Sequence, residues 1–493
     1  MRRVPVLTLL VSAALVAGSS FAVHSGKIPL GVPGEWEWLR HSYAPAAADV
    51  FLAGASVAGY AVFAGLGMDA LKVRPSRRRE AFAVLLLSAA SVAVQAAAQT
   101  GAPAGYGLAK WVLALHPEGA SGYLTVAKNE AHDLRAFLYL YPDWVRGQDA
   151  LHIGTHPPGL VACEAALLHT MEGSPAAARF VLRRVPESVA QMLRIYAIEN
   201  PMTAAERATM AVTGFLTLLA CGATVVPLYL LARATLPAPA AWSAAALWPV
   251  VPAAVLFQPL ADTGFPLLST TALALAAHAG GRSTSRRSLG LGFAAGVVLG
   301  LGMQLTIAFL AVGLVVAVVI AADRQTPVRV RLATILATGL GFAALTAAVW
   351  VATRANPVVI WWWNQRNHVR FYAEYPRTYR VWIVVNPVEL FLALGIPVSA
   401  WACLGLATTP PREIPRVVVA TAALLAFLTL GGRNLSEVGR LWLPFMPALL
   451  VGAGAAMGRS GAGPRSFAAT VLLVGTQTLL LQAMIQVVCP VTP

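Results

Sequence analysis

The chain has 493 residues, of which 58% are hydrophobic and only 12% charged, with a formal net charge of +15. That composition excludes an ordinary soluble domain. The apolar blocks run roughly 16 to 25 residues, are rich in Ala, Leu and Val and do not alternate in polarity, which excludes a β-barrel built from strands of about ten alternating residues.

What remains is an all-α polytopic membrane protein, a single transmembrane domain over residues 1–493 with about 11 to 13 transmembrane helices. In a soluble protein the positive balance would suggest nucleic acid. Here the basic residues fall in short loops between apolar blocks, where the positive-inside rule accounts for them, so the expected partner is the lipid bilayer and no nucleic acid. The four cysteines, Cys163, Cys221, Cys403 and Cys489, show neither C-x-x-C nor metal-ligand spacing.

In chain order, Met1-Arg2-Arg3 and the apolar run behind it read as a retained signal anchor, the first transmembrane helix at 4–23. Hydropathy places further helices near 46–69, 81–99, 208–232, 240–260, 263–281, 289–304, 305–322, 331–353, 383–405, 416–431, 441–458 and 467–488. With a cytoplasmic N-terminus, the basic clusters Lys72 to Arg79, Arg282 to Arg287, Arg324 to Arg331, Arg412 to Arg416 and Arg459 to Arg465 fall on alternate loops. The expected location is therefore the plasma or inner membrane, with the other loops extracytoplasmic. The first large outer loop, 100–207, holds the apolar stretch Leu160 to Thr170, about a dozen residues long and too short for a core of roughly 30 Å. A crossing there would also put the next three basic loops outside. A re-entrant or peripheral helix is expected, the competing explanation being a second crossing hidden in 179–207. Gly290 to Gly302 lies in an apolar helix pair, where small residues allow close packing.

The second outer loop, 354–382, carries Trp361-Trp362-Trp363 and Tyr372, Tyr375 and Tyr379, which read first as an interfacial belt. It also carries Arg354, Arg366, Arg370, Arg377 and Arg380, against the positive-inside trend. Arginines on that side need some other partner, and a phosphate at the membrane surface is one. In Gly431 to Arg440, Glu437 and Arg440 are spaced i, i+3. Either they pair on a helix, or Arg440 faces a phosphate with Glu437 orienting it.

The most specific motif is Thr155-His156-Pro157-Pro158-Gly159, at the start of the short apolar stretch. Two prolines fix φ and withdraw two N–H donors, which sets the start of a helix. His156 either binds phosphate or orients an acid, or it satisfies nearby backbone. Upstream stand Glu118, Glu130 and Asp133, and Asp262 lies at a helix end in Leu260-Ala261-Asp262, where burial of a carboxylate is costly. Asp133 begins an amphipathic stretch and could equally face water.

This layout resembles the GT-C superfamily of integral-membrane glycosyltransferases, which contains protein O-mannosyltransferases and the aminoarabinose lipid A transferase. In those families an acidic motif in the first large outer loop precedes a His/Lys-Pro-Pro motif and a short helix, and an aspartate stands where a later helix emerges outside. Tyr123 to Ala127 is similar to the Tyr-x-x-x-Ala that follows the family's acidic pair. The chain departs from the pattern in two places. Glu35 and Glu37 follow the first helix without an adjacent aspartate, separated from the Pro-Pro motif by an extra helical hairpin, and Gln304 stands where some members have lysine.

The resemblance implies a membrane glycosyltransferase that moves a sugar from a polyprenyl-phosphate carrier to an acceptor hydroxyl on a lipid, glycan or protein at the extracytoplasmic face. Such a reaction needs a carboxylate to take the acceptor proton and cations to stabilise the departing phosphate. Glu118, Asp133 and Glu130 are the catalytic candidates, and His156, Asp262, Gln304, Arg370, Arg377 and Arg440 the substrate-binding ones. No cofactor is certain. A divalent metal among Glu118, Asp133, His156 and Asp262 is left open, because oxygen-ligand sites have no recognisable spacing, and no metal ligand is assigned. The alternatives are a lipid-linked glycan polymerase or ligase on a diphosphate donor, and a transporter or flippase. The last would carry ionisable residues at mid-span, whereas the spans read as nearly charge-free.

Overall fold

A computed structural model describes residues 3–28, 30–73, 75–117, 120–280, 285–410 and 412–487. Glu118, Arg282 and Cys489 lie outside the described residues. The chain is 76% helical. Its sheet consists of two short antiparallel ladders, Gly31–Val32 with Trp36–Glu37 and Leu39–Arg40 with Ile485–Gln486.

Every apolar stretch read from the sequence is helical, as composition and hydrocarbon solvation require. Six described helices are long and apolar enough to cross a membrane: Val4–His24, Ala47–Ala70, Arg77–Gln99, Ala204–Arg233, Val328–Thr353 and Pro464–Met484. Val328–Thr353 has only 11% of its apolar window buried inside the protein. Leu336, Leu340 and Val351 stand exposed on it, a surface stable only with lipid as solvent. The chain is thus an all-α polytopic membrane protein. The count of about 11 to 13 crossings includes stretches that are helical but shorter or broken. The stretch at 240–260 is divided into Ala238–Leu247, a 3-10 turn at Trp248–Val250 and Pro252–Leu256, because Pro249 and Pro252 withdraw the N–H groups a continuous helix needs.

The stretch at 383–405 is a bent pair, Tyr379–Leu394 and Ile396–Thr408, meeting at 111°. Gly395, with φ of +95°, makes the corner. A break strands backbone groups in an apolar setting, and Gln477 of Pro464–Met484 meets them. Its Oε1 accepts from Ile396 N at 2.8 Å, and its Nε2 donates to Leu392 O at 3.3 Å. Elsewhere helices approach closely through small residues, as expected for the glycine-rich pair: at Gly296 a Cβ would lie 1.9 Å from Thr338 O.

The loop at 100–207 folds into short helices, among them Tyr123–Asn129, Leu134–Trp144, His152–Thr155 and Gly159–Gly173. At 15 residues Gly159–Gly173 reaches only about 22 Å, and it lies against Tyr123–Asn129 and Ala204–Ala223. In 179–207 the helices Glu187–Glu199 and the end of Pro175–Leu182 are likewise short of a crossing. The second loop, 354–382, holds the helix Pro357–Glu374, capped by Asn356, whose Oδ1 accepts from Val358 N at 3.0 Å. Its tryptophans do more than anchor: Trp361 donates its indole N–H to Met303 O at 3.2 Å, and Arg146 and Arg366 lie over the Trp363 ring at 5.3 and 5.4 Å. At the opposite end of the bundle the basic loops around Arg324 and Arg412 meet. Arg416 pairs with the buried Asp323 at 2.9 Å, and His278, Gln325, Arg412 and Arg416 line one cleft there.

Candidate functional site

The Pro-Pro motif is held at both ends by backbone contacts. Gly159 N donates to Gln304 O at 2.9 Å, and a Cβ on Gly159 would sit 2.3 Å from that oxygen, so only glycine fits. Gln304 thus enters through its carbonyl, while its amide turns back onto Gly300 O at 3.3 Å. On the other side His156 O accepts from Tyr141 OH at 2.8 Å and from Asn364 Nδ2 at 2.9 Å. Asn364 and Asn367 both donate to Gly154 O at 2.9 Å, and Asn367 also to Val145 O at 3.0 Å. Two carboxamides of the second loop therefore clamp the first.

That clamp aims the His156 ring toward Tyr123, edge to face with centroids 5.9 Å apart. His156 Nδ1 lies 2.7 Å from His152 O, which makes Nδ1 the protonated nitrogen and Nε2 the acceptor. Burial pushes the imidazole's pKa down, against the raising pull of Asp262, with Arg440 and His368 adding to the lowering. Asp262 comes from the 3-10 turn Ala261–Thr263, directly ahead of the helix Phe265–Ala279. It also acts on Tyr123, whose phenol is raised first by burial and then by that carboxylate.

Arg440 completes the cluster. It lies on the single turn Val438–Leu441 and pairs through Nη2 with Glu437 Oε2 at 2.6 Å. Burial opposes its charge, yet Glu437, Asp262, Tyr123 and Glu389 together hold its pKa above the ordinary arginine value. Its Nε–H is buried with no hydrogen-bond partner. Ser436 and Glu437 both adopt left-handed backbone, with φ of +76° and +55°. Such strain costs about 1–3 kcal/mol per residue and marks a segment held in place for what it presents.

Arg377 reaches the same segment, donating from Nε to Ser436 Oγ at 3.2 Å, and it lies within the fields of Glu437 and Glu35. Glu35, from the first short ladder, accepts from Thr378 N at 2.9 Å and from Trp382 Nε1 at 2.7 Å. Burial raises its pKa, but those bonds and the Arg377 charge outweigh it and the net shift is downward.

The structure thus brings together His156, Asp262 and Arg440, with Arg377 and the Gln304 carbonyl at the edges. It does not bring in Arg370, Asp133 or Glu130. Arg370 is engaged by Glu374 at 2.9 Å and by Gln148 O at 2.5 Å. Asp133 is exposed and caps Leu134–Trp144, its Oδ1 accepting from Ala136 N at 3.0 Å. Glu130 is exposed and accepts from the Trp144 indole. Neither acid is among the charges acting most strongly on His156, Tyr123 or Arg440. Among the described residues no three His, Cys, Asp or Glu side chains are grouped to hold a metal ion.

One functional candidate escaped the sequence reading. Glu389 lies inside Tyr379–Leu394, so the spans are not as charge-free as they read. Its Oε1 accepts from Gly439 N at 3.0 Å and Trp38 Nε1 at 3.3 Å, which ties the bent pair to the residue beside Arg440. The signal was present: a carboxylate within an apolar run is a site marker by its cost alone. No known protein family matches the chain, and no curated protein does.

Proposed function

We propose that the chain is a membrane glycosyltransferase of the GT-C kind, transferring a sugar from a polyprenyl-phosphate carrier to an acceptor hydroxyl at the extracytoplasmic face. The observation that carries this reading is Arg440, a buried guanidinium with an unpartnered Nε–H, in the field of Asp262 and next to the clamped His156-Pro157-Pro158 motif. A guanidinium suits a phosphate oxygen, and a nearby carboxylate suits a proton in flight.

In the reaction the acceptor oxygen attacks the anomeric carbon and the bond from that carbon to the phosphate oxygen breaks. The electron pair departs with polyprenyl phosphate. Asp262 takes the acceptor proton, and Arg440, with Arg377 behind it, offsets the charge gathering on the leaving phosphate. His156 Nε2, left as an acceptor by the Nδ1 contact to His152, orients a sugar or acceptor hydroxyl.

The test is release of polyprenyl phosphate from a panel of polyprenyl-phosphate sugars by the purified protein in lipid, for wild type, Arg440→Ala, Asp262→Asn and Glu118→Ala. Release that depends on Arg440 and Asp262 supports the reading. A Glu118-dependent, Asp262-independent reaction moves the base to Glu118. No release from any monophosphate donor overturns the reading.

A further inference from the structure

A recess reaches Gly439, the residue before Arg440, and Arg440 is not among its lining residues. It is a cavity of about 80 Å³ between the bent helix pair and the end of Pro464–Met484, lined by Leu30, Phe257, Val388, Leu392, Leu481 and Ile485. Its lining is apolar but for Glu389 and the Trp38 indole that donates to it. Trp38 is itself fixed by Phe257, with ring centroids 5.2 Å apart. A carboxylate offers about four acceptor positions, and the bonds from Gly439 N, Trp38 Nε1 and the Val438 backbone leave capacity for one donor on a molecule in the recess. An apolar chain fills the walls, and the head that meets Glu389 must donate a hydrogen bond. An anionic phosphate does not suit that position, because it would face a carboxylate in apolar surroundings.

We infer that this recess binds an alcohol-headed lipid, with its hydroxyl donated to Glu389 and its chain along Val388, Leu392 and Leu481. It is separate from the arginine-lined site where a phosphate belongs. As the acceptor's site it rests on the transferase reading, since Glu389, bonded to Gly439, and the adjacent Arg440 then hold the two substrates. As a binding site it stands without that reading, and binding is what the test measures.

The protein in phosphatidylcholine nanodiscs is photolabelled with a diazirine-bearing long-chain alcohol and, separately, with the phosphate of the same chain. Labelled peptides are mapped by mass spectrometry. The alcohol is expected to label segments 385–393 and 481–487 at least fivefold more than the phosphate does, with excess unlabelled alcohol suppressing the signal. Glu389→Lys is expected to reverse that preference, and Leu392→Trp, which fills the recess and leaves the carboxylate, to abolish labelling by both. Equal labelling by alcohol and phosphate in the wild type would overturn the inference, as would labelling confined to other helices. Because no turnover is measured, a protein inactive on every sugar donor can still pass, and an active transferase can still fail.

Discussion

At Arg440 a single side chain joins charge, burial and an unfilled donor. Replacement by alanine leaves Glu437 and Asp262 without their cation and should lower transfer by about 10²–10³-fold, the loss typical of removing one preorganised electrostatic partner. Arg440→Lys keeps the charge but not the planar fork, so it should recover only part of the rate, read in the same release assay. Gly159 is equally constrained for a different reason. Gly159→Ala drives a Cβ toward the Gln304 carbonyl and should destabilise by about 1–3 kcal/mol, seen as a lower Tm in detergent. Lys110, in the loop at 100–207, is 3% exposed, and its Nζ donates to Leu256 O at 2.8 Å. Burial brings its pKa from 10.5 down to about 7. Between those values the unfolded chain holds the extra proton, so stability rises with pH across the window, by about 1.4 kcal/mol per pH unit at most, and is flat below it. Lys110→Met should abolish that slope in thermal unfolding measured from pH 7 to 10.

At the scale of elements, the loop at 354–382 acts as a strut for the loop at 100–207. Asn364 and Asn367 are both buried, and their amides satisfy Val145, Gly154 and His156 carbonyls. Leucine at both positions together leaves Gly154 O without either amide donor and weakens the hold on Val145 O and His156 O, at a cost of about 1–3 kcal/mol. The expected readout is faster proteolysis within 145–156 while the apolar helices stay protected. How legible these elements were differs with their solvent. Apolar stretches show themselves by hydropathy, so their helical character was visible, and the proline pair at 157–158 marked a helix start; the breaks inside 240–260 and 383–405 were not read, each stretch being expected as one helix. The clamp was not visible, because Asn364 and Asn367 sit in a tryptophan- and arginine-rich run whose composition reads as an interfacial belt. Asp133 and Glu130 drew notice as acids in a promising loop. Their hydrogen bonds to Ala136 N and the Trp144 indole depend on local folding that no motif encodes.

At the scale of the molecule the loops sort to two ends. One end gathers Arg412, Arg416, Gln325 and His278, the other the two clamped loops with Asp262 and Arg440. Of the basic clusters read from the sequence, those around Arg324 and Arg412 meet at the first end. The joining of Glu389 to Gly439, 50 residues apart in sequence, was not legible, since it arises only when the bent pair folds across the bundle.

The corner at Gly395 carries a consequence for how the chain is made. Its backbone groups are met by Gln477, whose bonds span 81 and 85 residues of sequence. At roughly 5–20 residues per second, the ribosome takes about 4 to 17 s to reach that glutamine after the corner has emerged. During that interval the half-helices hold unmet N–H and C=O groups in or beside hydrocarbon, each costing several kcal/mol. The corner therefore closes only after Pro464–Met484 has been made, and that helix serves as the keystone of the bent pair.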